Sequence, residues 1–372
     1  MMHSQHSISK KHLLLIVIAW CCMQAVLLYS FGIDKNHEAT AYLGLRDQWL
    51  QGNFNQYGHF WLYSGYIGLH VIIKKLGLPE NMLYVVQLIA SFTALLAFVK
   101  GCTYFTKKST AVLIAGILYS TCFLLHYWTS FLYTETIFTS LITVGICSML
   151  FYAEKPLYRW VFWISLLLIP FFRPNGFLVM LIPLLFWVTQ WWSTRKLEIV
   201  ILAVLFFAFA KFAGWLIDHS PYFYFIRPNA EADIVCSITS QLKPYIKVPW
   251  HEGMSLWQYF YSNPELTIRM LPARLFKTLW MTRDHYSAAN NVVTGGCLLV
   301  YYALALAGMG HLARCKPKEL IWILAAMGIF IAPVILMCAD WNNRLVNPFF
   351  PVLLWLAAAG TNLLPIQSKP TN

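Results

Sequence analysis

Residues 13–47 of the chain read LLLIVIAWCCMQAVLLYSFGIDKNHEATAYLGLRD. The first half, Leu13 to Phe31, is apolar and long enough to cross a bilayer, because about 20 apolar residues span roughly 30 Å. The second half carries three carboxylates, Asp34, Glu38 and Asp47, although the chain has only 15 Asp and Glu among its 372 residues. This concentration indicates either a solvated loop beside a membrane span or a functional site.

The composition is typical of a polytopic membrane protein. Hydrophobic residues make up 59% of the chain and charged residues 11%, whereas a soluble domain has about 25% charged residues. The net charge of +12 does not indicate a nucleic-acid partner, because Lys and Arg lie mostly in short loops between apolar runs, where the positive-inside rule places them. Most of the nine cysteines lie in apolar runs as small core residues, and only Cys236 lies in a long polar loop, so the sequence predicts no disulfide framework.

The alternation of apolar runs and basic loops predicts an all-α protein with about ten transmembrane helices. A polar start ending in Lys10-Lys11-His12 precedes an apolar run that is too long for a cleavable signal peptide, so we expect an uncleaved anchor. With this anchor, both the N- and C-termini are cytoplasmic. The expected spans are 13–31, 82–100, 110–126, 133–152, 160–172, 176–192, 197–217, 292–312, 319–338 and 347–364.

Three regions follow from this topology. We expect an N-terminal transmembrane module (1–217), which includes a first outer loop (32–81), then a long outer-face loop with helices (218–291), then C-terminal transmembrane helices (292–372). Within the first outer loop, aromatic residues among polar ones predict juxtamembrane helices. One of them, near residues 63–75, is interfacial or re-entrant, unless it is a short true span that would invert everything after it.

The same outer face collects unusual charges. Glu135 begins a span, and its carboxylate either serves a function or complements the helix dipole. Arg173 interrupts an apolar run and is either functional or a side chain that snorkels to the interface. Arg344 follows Asp340 and either belongs to a site or forms a rim ion pair. Arg283 ends a basic, apolar helix of the long loop, which suits an anionic head group at a membrane interface or a solvated face.

The order of these motifs resembles the polyprenyl-phosphate-sugar-dependent glycosyltransferases of the GT-C superfamily, to which protein O-mannosyltransferases and the aminoarabinose transferases of lipid A also belong. The resemblance covers most of the chain. It departs from the family pattern at Asp34, which is followed by His37-Glu38 instead of forming a tight acidic pair, and at Ser64-Gly65, where relatives have Pro-Gly or Pro-Pro. The residues that carry it are Glu38, Tyr42, Gly52, Gly65-Tyr66, Gln87, Ser91, Tyr133-Thr134-Glu135, Arg173-Pro174-Asn175-Gly176 and Asn343-Arg344 ahead of Pro348 and Pro351.

The resemblance implies a reaction at the outer face, in which a sugar moves from a polyprenyl phosphate to a hydroxyl of a glycan, lipid or protein acceptor, with inversion. The catalytic residues would be Asp34 or Glu38 as the base and Glu135 as a group that orients the acceptor or a metal. The residues expected to bind the substrate and its lipid phosphate are Arg173, Arg283, Arg344, Tyr66 and His285. No phosphate-binding G-x-x-x-x-G-K-[ST] loop is present, which agrees with a lipid donor. No cofactor is certain, and the carboxylates of Asp34, Glu38 and Glu135 are compatible with a divalent metal.

Two other classes of function remain open. A transporter or flippase of lipid-linked sugars would share the apolar spans and the basic outer face, but inverted repeats and mid-span charges are expected of it. A non-catalytic membrane subunit would have no need for Glu135, Arg173 and Arg344 on one face. The sequence therefore favours the transferase.

Overall fold

A computed structural model describes residues 8–35, 38–54, 58–191, 194–218, 231–236, 238, 240–251, 253–339 and 344–363. Regular structure within these ranges is helical, apart from three isolated β-bridges. The all-α class expected from the sequence is thus confirmed for the described residues.

The described α-helices number fifteen. In chain order they are α1 (Lys10–Phe31), α2 (Glu38–Leu50), α3 (Ser64–Lys75), α4 (Met82–Phe105), α5 (Ser109–Ser120), α6 (Phe123–His126), α7 (Glu135–Leu150), α8 (Pro156–Leu168), α9 (Leu181–Trp191), α10 (Lys196–Asp218), α11 (Leu256–Ser262), α12 (Pro264–Trp280), α13 (Ala288–Cys315), α14 (Pro317–Met337) and α15 (Phe349–Gly360). Short 3-10 helices occupy Gly58–Tyr63, Tyr127–Ser130, Ile169–Phe171, Pro174–Met180, Lys243–Tyr245, Arg344–Val346 and Thr361–Leu363.

Several of these helices are long and apolar enough to cross a membrane. Four meet this condition alone, namely α1, α4, α13 and α14. A fifth is a broken pair, α5 with Phe123–Ser130, bent by 51°. Shorter apolar helical segments cover Glu135–Leu150, Pro156–Phe171, Pro174–Gln190 and Phe349–Leu363. The chain is therefore that of a membrane-spanning protein, while ten complete crossings stay a prediction.

The first loop contains the expected juxtamembrane helices, but the first of them starts before residues 43–60, where the aromatic residues among polar ones predict it. It begins at Glu38, so the acidic stretch is itself partly helical. The second, α3, has 12 residues and thus rises about 18 Å, well short of the roughly 30 Å of a bilayer core. Its length favours the interfacial or re-entrant interpretation over a true span.

The C-terminal helix α15 lies in the middle of the packed helices. Every residue from Phe349 to Gly360 is buried, and its most extensive neighbour is α13. The indole of Trp355 donates to the carbonyl of Phe98 on α4 at 3.0 Å. Just before α15, the buried Asn347 donates to the carbonyl of Leu125. These contacts fix the position of the turn that starts at Arg344.

The long loop folds around a second small core and is tied to the end of α14. Tyr259, Leu266 and Met270 are buried in that core. A disulfide joins Cys236 to Cys338. The expectation of no disulfide framework was therefore wrong for this pair. The error arises because Cys338 ends an apolar run, where a cysteine is indistinguishable from a small core residue.

Candidate functional site

Four charged side chains from four separate segments form a chain of ion pairs. Arg173 Nη1 lies 2.8 Å from Glu135 Oε1, and Arg344 Nε lies 3.8 Å from the same oxygen. Arg344 Nη2 in turn lies 2.5 Å from Glu38 Oε1. We call this set, Arg173, Glu135, Arg344 and Glu38, the ionic chain. All four residues are among those that the sequence singled out, and the fold brings them into direct contact.

Helix ends and turns present each member of the ionic chain. Glu38 is the first residue of α2 and Glu135 the first residue of α7. Both carboxylates thus lie at helix N-termini, where the macrodipole favours negative charge. Arg173 immediately precedes the 3-10 turn Pro174–Met180, and Arg344 begins the 3-10 turn before α15. Glu135 therefore both complements the dipole of α7 and forms ion pairs with Arg173 and Arg344.

Backbone hydrogen bonds hold the turn that precedes Glu135. The N–H of Asp34 donates to the carbonyl of Ser130 at 2.8 Å, and the N–H of Leu132 donates to the carbonyl of Asp34 at 3.1 Å. The buried amide of Gln87 donates to the carbonyl of Phe131 at 2.8 Å. This explains Gln87 as a support of the site, because its amide satisfies a turn carbonyl that would otherwise lack a donor.

Two glycines allow α3 and the Arg173 turn to pack closely. A Cβ at Gly65 would lie 2.7 Å from the ring of Phe172, and a Cβ at Gly176 would lie 2.5 Å from the carbonyl oxygen of Ile169. Both distances are far below normal contact, so a side chain at either position would push the segments apart. Gly65 thereby fixes the distance between α3 and the segment that ends at Arg173.

Among the members of the ionic chain and Tyr66, three buried polar atoms lack a hydrogen-bond partner within the described residues. They are the Tyr66 hydroxyl, Glu135 Oε2 and Arg173 Nε, and all three are buried. Burial and the nearby charge of Glu135 raise the pKa of Tyr66 well above its usual value, so its hydroxyl remains a donor at neutral pH. Buried polar atoms are nearly always satisfied by protein or water. Each of these atoms can therefore still pair with a water or a polar ligand group.

Glu38 lies at the accessible end of the ionic chain. Its side chain keeps 41% of its surface exposed, whereas that of Glu135 keeps 1%. Burial alone would raise the pKa of Glu38, but the hydrogen bond and charge of Arg344, helped by Arg173 and Tyr42, lower it. Glu38 is therefore ionised at neutral pH.

A second group of charges stiffens the first loop. Arg46, whose side chain is 6% exposed, contacts Asp47 at 2.8 Å and Glu80 at 2.9 Å, and Lys35 lies 3.5 Å from Glu80. The hydrogen bond and charge of Arg46 lower the pKa of Glu80. The sequence reasoning missed this arrangement, since nothing in the spacing of residues 46 and 80 indicates contact. It accounts for part of the acidic cluster as a structural support.

Two of the expected substrate ligands lie away from the ionic chain's contacts. The guanidinium of Arg283 donates to the backbone carbonyls of Lys277 and Thr282, at 2.8 and 3.0 Å. His285 is exposed, with its ring 4.6 Å from that of Tyr286. Desolvation and the positive charge of Arg283 lower the pKa of His285. Their roles in phosphate binding stay predictions.

Asp34 lies at the edge of the ionic chain and is half-buried. Its negative charge acts on Tyr127 and on Tyr133, and the ring of Tyr133 lies 6.0 Å from the guanidinium of Arg344. Asp340 and Asn343, which the sequence placed near Arg344, lie outside the described residues.

A metal site is not formed by the described side chains. No group of three His, Cys, Asp or Glu residues within the described ranges could hold a metal ion. Glu38 and Glu135 face the guanidiniums of Arg344 and Arg173 instead, so arginines supply the positive charge beside both carboxylates.

Comparisons of the chain with protein-family models, with curated proteins and with solved structures find no match.

Proposed function

We propose that the protein is a membrane glycosyltransferase that moves a sugar from a polyprenyl-phosphate donor to an acceptor hydroxyl, with inversion. The observation that supports this most is the ionic chain. It joins an acidic helix start of the first loop to two arginines whose segments are far apart in the sequence. Two of its four members, Arg173 and Glu135, are buried, and buried charges in a membrane protein are costly and usually functional.

The arginines suit a phosphate leaving group. A lipid phosphate that leaves carries negative charge, and guanidiniums stabilise it with parallel hydrogen bonds. Arg344 is the accessible candidate, because its side chain is 23% exposed. Arg173 is buried, yet its Nε lacks a partner among the described residues, so it retains a donor for a ligand oxygen. Glu135 would hold both arginines in place between turnovers.

Of the two acidic residues Asp34 and Glu38, Asp34 is the one that we propose as the base. Glu38 uses one carboxylate oxygen to accept from Arg344, and its lowered pKa makes it a weaker proton acceptor. Asp34 lies beside the ionic chain and is attached through its backbone to the turn before Glu135. It would take the proton of the acceptor hydroxyl as that oxygen attacks the anomeric carbon.

The test is an assay of purified protein with a panel of polyprenyl-phosphate sugars, in which released lipid phosphate is measured. Asp34→Asn should lower turnover by about 10²–10⁴ while donor binding persists, because general-base loss has that size. Glu38→Gln is tested in parallel, and Asp47→Asn serves as the control, since Asp47 belongs to the same loop but is half-exposed and faces Arg46.

Normal turnover in both Asp34→Asn and Glu38→Gln would overturn the mechanism. Movement of the lipid-linked sugar across vesicles without release of lipid phosphate would instead support the transporter or flippase.

We further propose that the ionic chain lies on the outer face and that both termini are cytoplasmic. The disulfide between Cys236 and Cys338 supports this orientation, because disulfides persist in oxidising compartments such as the periplasm or the lumen of the secretory pathway. Single cysteines at Asn53 and Ser287, both exposed, should be labelled from outside in a background without Cys21, Cys22 and Cys315. Labelling of one and protection of the other would contradict the topology.

A further inference from the structure

A cavity of about 130 Å³ lies where the end of α1, the segment around α6 and the start of α13 meet. It is separate from the contacts of the ionic chain. The side chains that line it include Phe31, Phe123, Tyr127, Tyr286, Asn290 and Thr294. None of its lining residues in the described part of the chain is charged.

The lining combines aromatic rings with neutral polar groups. The rings of Phe31 and Phe123 lie 5.0 and 5.3 Å from that of Tyr127, and the contact between Phe31 and Tyr127 is edge-on. The Thr294 hydroxyl donates to Asn290 Oδ1 at 3.1 Å. Asn290 lines the cavity, and its side-chain amide group is able to donate to a hydroxyl oxygen. Aromatic walls with a few oriented polar groups are typical of small-molecule sites.

The volume limits what the cavity can hold. The volume of the cavity is about 130 Å³. Sites for drug-sized ligands are about 300–1,000 Å³. A single six-membered ring is therefore a closer match than a long isoprenoid chain. A pyranose ring has apolar C–H faces that pack against aromatic rings and hydroxyls that pair with amide and hydroxyl groups, which matches this lining.

The cavity lies next to Asp34. The charge of Asp34 acts on Tyr127, which lines the cavity, and also on Tyr133, whose ring faces Arg344. The Asp34 backbone pairs with Ser130 and Leu132, directly after the cavity segment Tyr127–Trp128. The Asp34 backbone is thus tied to the segment that follows the cavity residues Tyr127 and Trp128.

We propose that this cavity binds one neutral pyranose ring at the end of a glycan acceptor and directs one of its hydroxyls toward Asp34. The acceptor role rests on the proposed function. In the transfer, the hydroxyl proton passes to the Asp34 carboxylate and the hydroxyl oxygen bonds to the anomeric carbon. The bond from that carbon to the phosphate oxygen breaks, and the electron pair leaves on the polyprenyl phosphate. The acceptor class is then a glycan, in place of a peptide hydroxyl or a lipid alcohol without a sugar.

Binding is tested without any donor. Saturation-transfer difference NMR on the detergent-solubilised full chain, with methyl hexopyranosides as probes, should show saturable binding. Asn290→Ala and Phe31→Ala should weaken it at least tenfold. Tyr29→Ala is the matched control, because Tyr29 lies on the same helix, is 94% exposed and does not line the cavity. Thermal unfolding of each variant shows that the fold is kept.

Equal binding by the wild type and Asn290→Ala, or displacement of the probe by a short isoprenoid alcohol alone, would overturn the assignment. A kinetic measurement separates this inference from the proposed function. Asn290→Ala should raise the KM for a glycan acceptor at least tenfold, whereas the control Tyr29→Ala, which lies outside the cavity, should leave that KM unchanged. Probe binding without release of lipid phosphate from any donor contradicts the proposed function alone. Transfer to peptide or lipid acceptors without probe binding contradicts the cavity assignment alone.

Discussion

Arg173 and Arg274 are both buried arginines, 4% and 0% exposed, but they belong to two regions that satisfy a guanidinium differently. Arg173 pairs with the carboxylate of Glu135 and keeps one unpartnered N–H within the described structure. Arg274 donates to backbone carbonyls of the long loop and of α14, namely those of Glu231, Asp233, Ile335 and Leu336. Arg283 resembles Arg274, because it too donates to backbone carbonyls.

This difference in hydrogen-bond partners distinguishes the candidate functional site around Arg173 from a structural cross-link around Arg274. Around Arg274, the guanidinium, the disulfide Cys236–Cys338 and the hydrogen bond from Ala339 N–H to the carbonyl of Ile234 all join the same two segments. Burial lowers the pKa of Arg274 to about 10, a value at which it is still charged at neutral pH. The acceptors around Arg274 are neutral backbone carbonyls of two segments. Arg173 is instead held by a carboxylate, and its Nε–H lacks a partner among the described residues.

The largest expected effect is at the buried pair of the ionic chain. Glu135→Leu should destabilise the protein by about 3–5 kcal/mol, because it leaves Arg173 buried without a counter-charge. The double variant Arg173→Met, Glu135→Leu should recover most of that stability and still release no lipid phosphate. Chemical denaturation and the release assay measure the two effects. The surface pair Arg195–Glu198 is the control, and breaking it should cost about 0–1 kcal/mol. Turnover by the double variant would show that the pair Arg173–Glu135 has only a structural role.

Arg274→Met should have the opposite pattern, with lost stability and retained chemistry. It leaves several carbonyls without a donor, and an unsatisfied buried group costs about 1–3 kcal/mol, so we expect a loss of about 2–3 kcal/mol. Release of lipid phosphate per folded molecule should stay within about twofold of the wild type. Loss of turnover at unchanged stability would place Arg274 in the site and remove the distinction between the two regions.

The packing of α3 against the Arg173 turn gives a smaller effect with an internal control. Gly65→Ala should lower stability by about 1–3 kcal/mol through overpacking against Phe172. Gly68→Ala on the same helix meets no atom within 4 Å and should be neutral or stabilising by up to about 1 kcal/mol, because alanine favours the helix. Equal thermal shifts in both variants would show that α3 does not depend on this close approach.

The smallest expected effect is the pH dependence of the pair Glu38–Arg344. The pKa of Glu38 in the folded protein lies below its ordinary value of 4.5. The stability that the pair contributes is therefore complete above pH 4.5 and is lost as pH falls through the lower folded value. Thermal unfolding of the wild type should decline more steeply in that acidic window than that of Glu38→Gln. Parallel declines would mean that the ion pair adds nothing to stability.

Much of this arrangement was predictable from the sequence. Apolar runs are local, so α1, α4, α13 and α14 follow directly from composition along the chain. The four members of the ionic chain were also found from the sequence, because charges at span ends are rare in such an apolar chain and each needs a reason.

Only the tertiary structure decided which charge meets which. Arg344 and Glu38 are 306 positions apart, and Arg173 and Glu135 are 38 apart, so no local pattern encodes either contact. The same holds for Cys338, which looks like a core cysteine until α14 and the long loop are brought together. The tertiary structure also distinguishes Arg283, which donates to backbone carbonyls, from Arg344, which pairs with carboxylates. The sequence alone does not reveal which acceptors will surround a basic side chain. The hydrophobicity of a segment is a local property that can be read from its own residues, whereas hydrogen-bond and ion-pair partners depend on how distant segments pack.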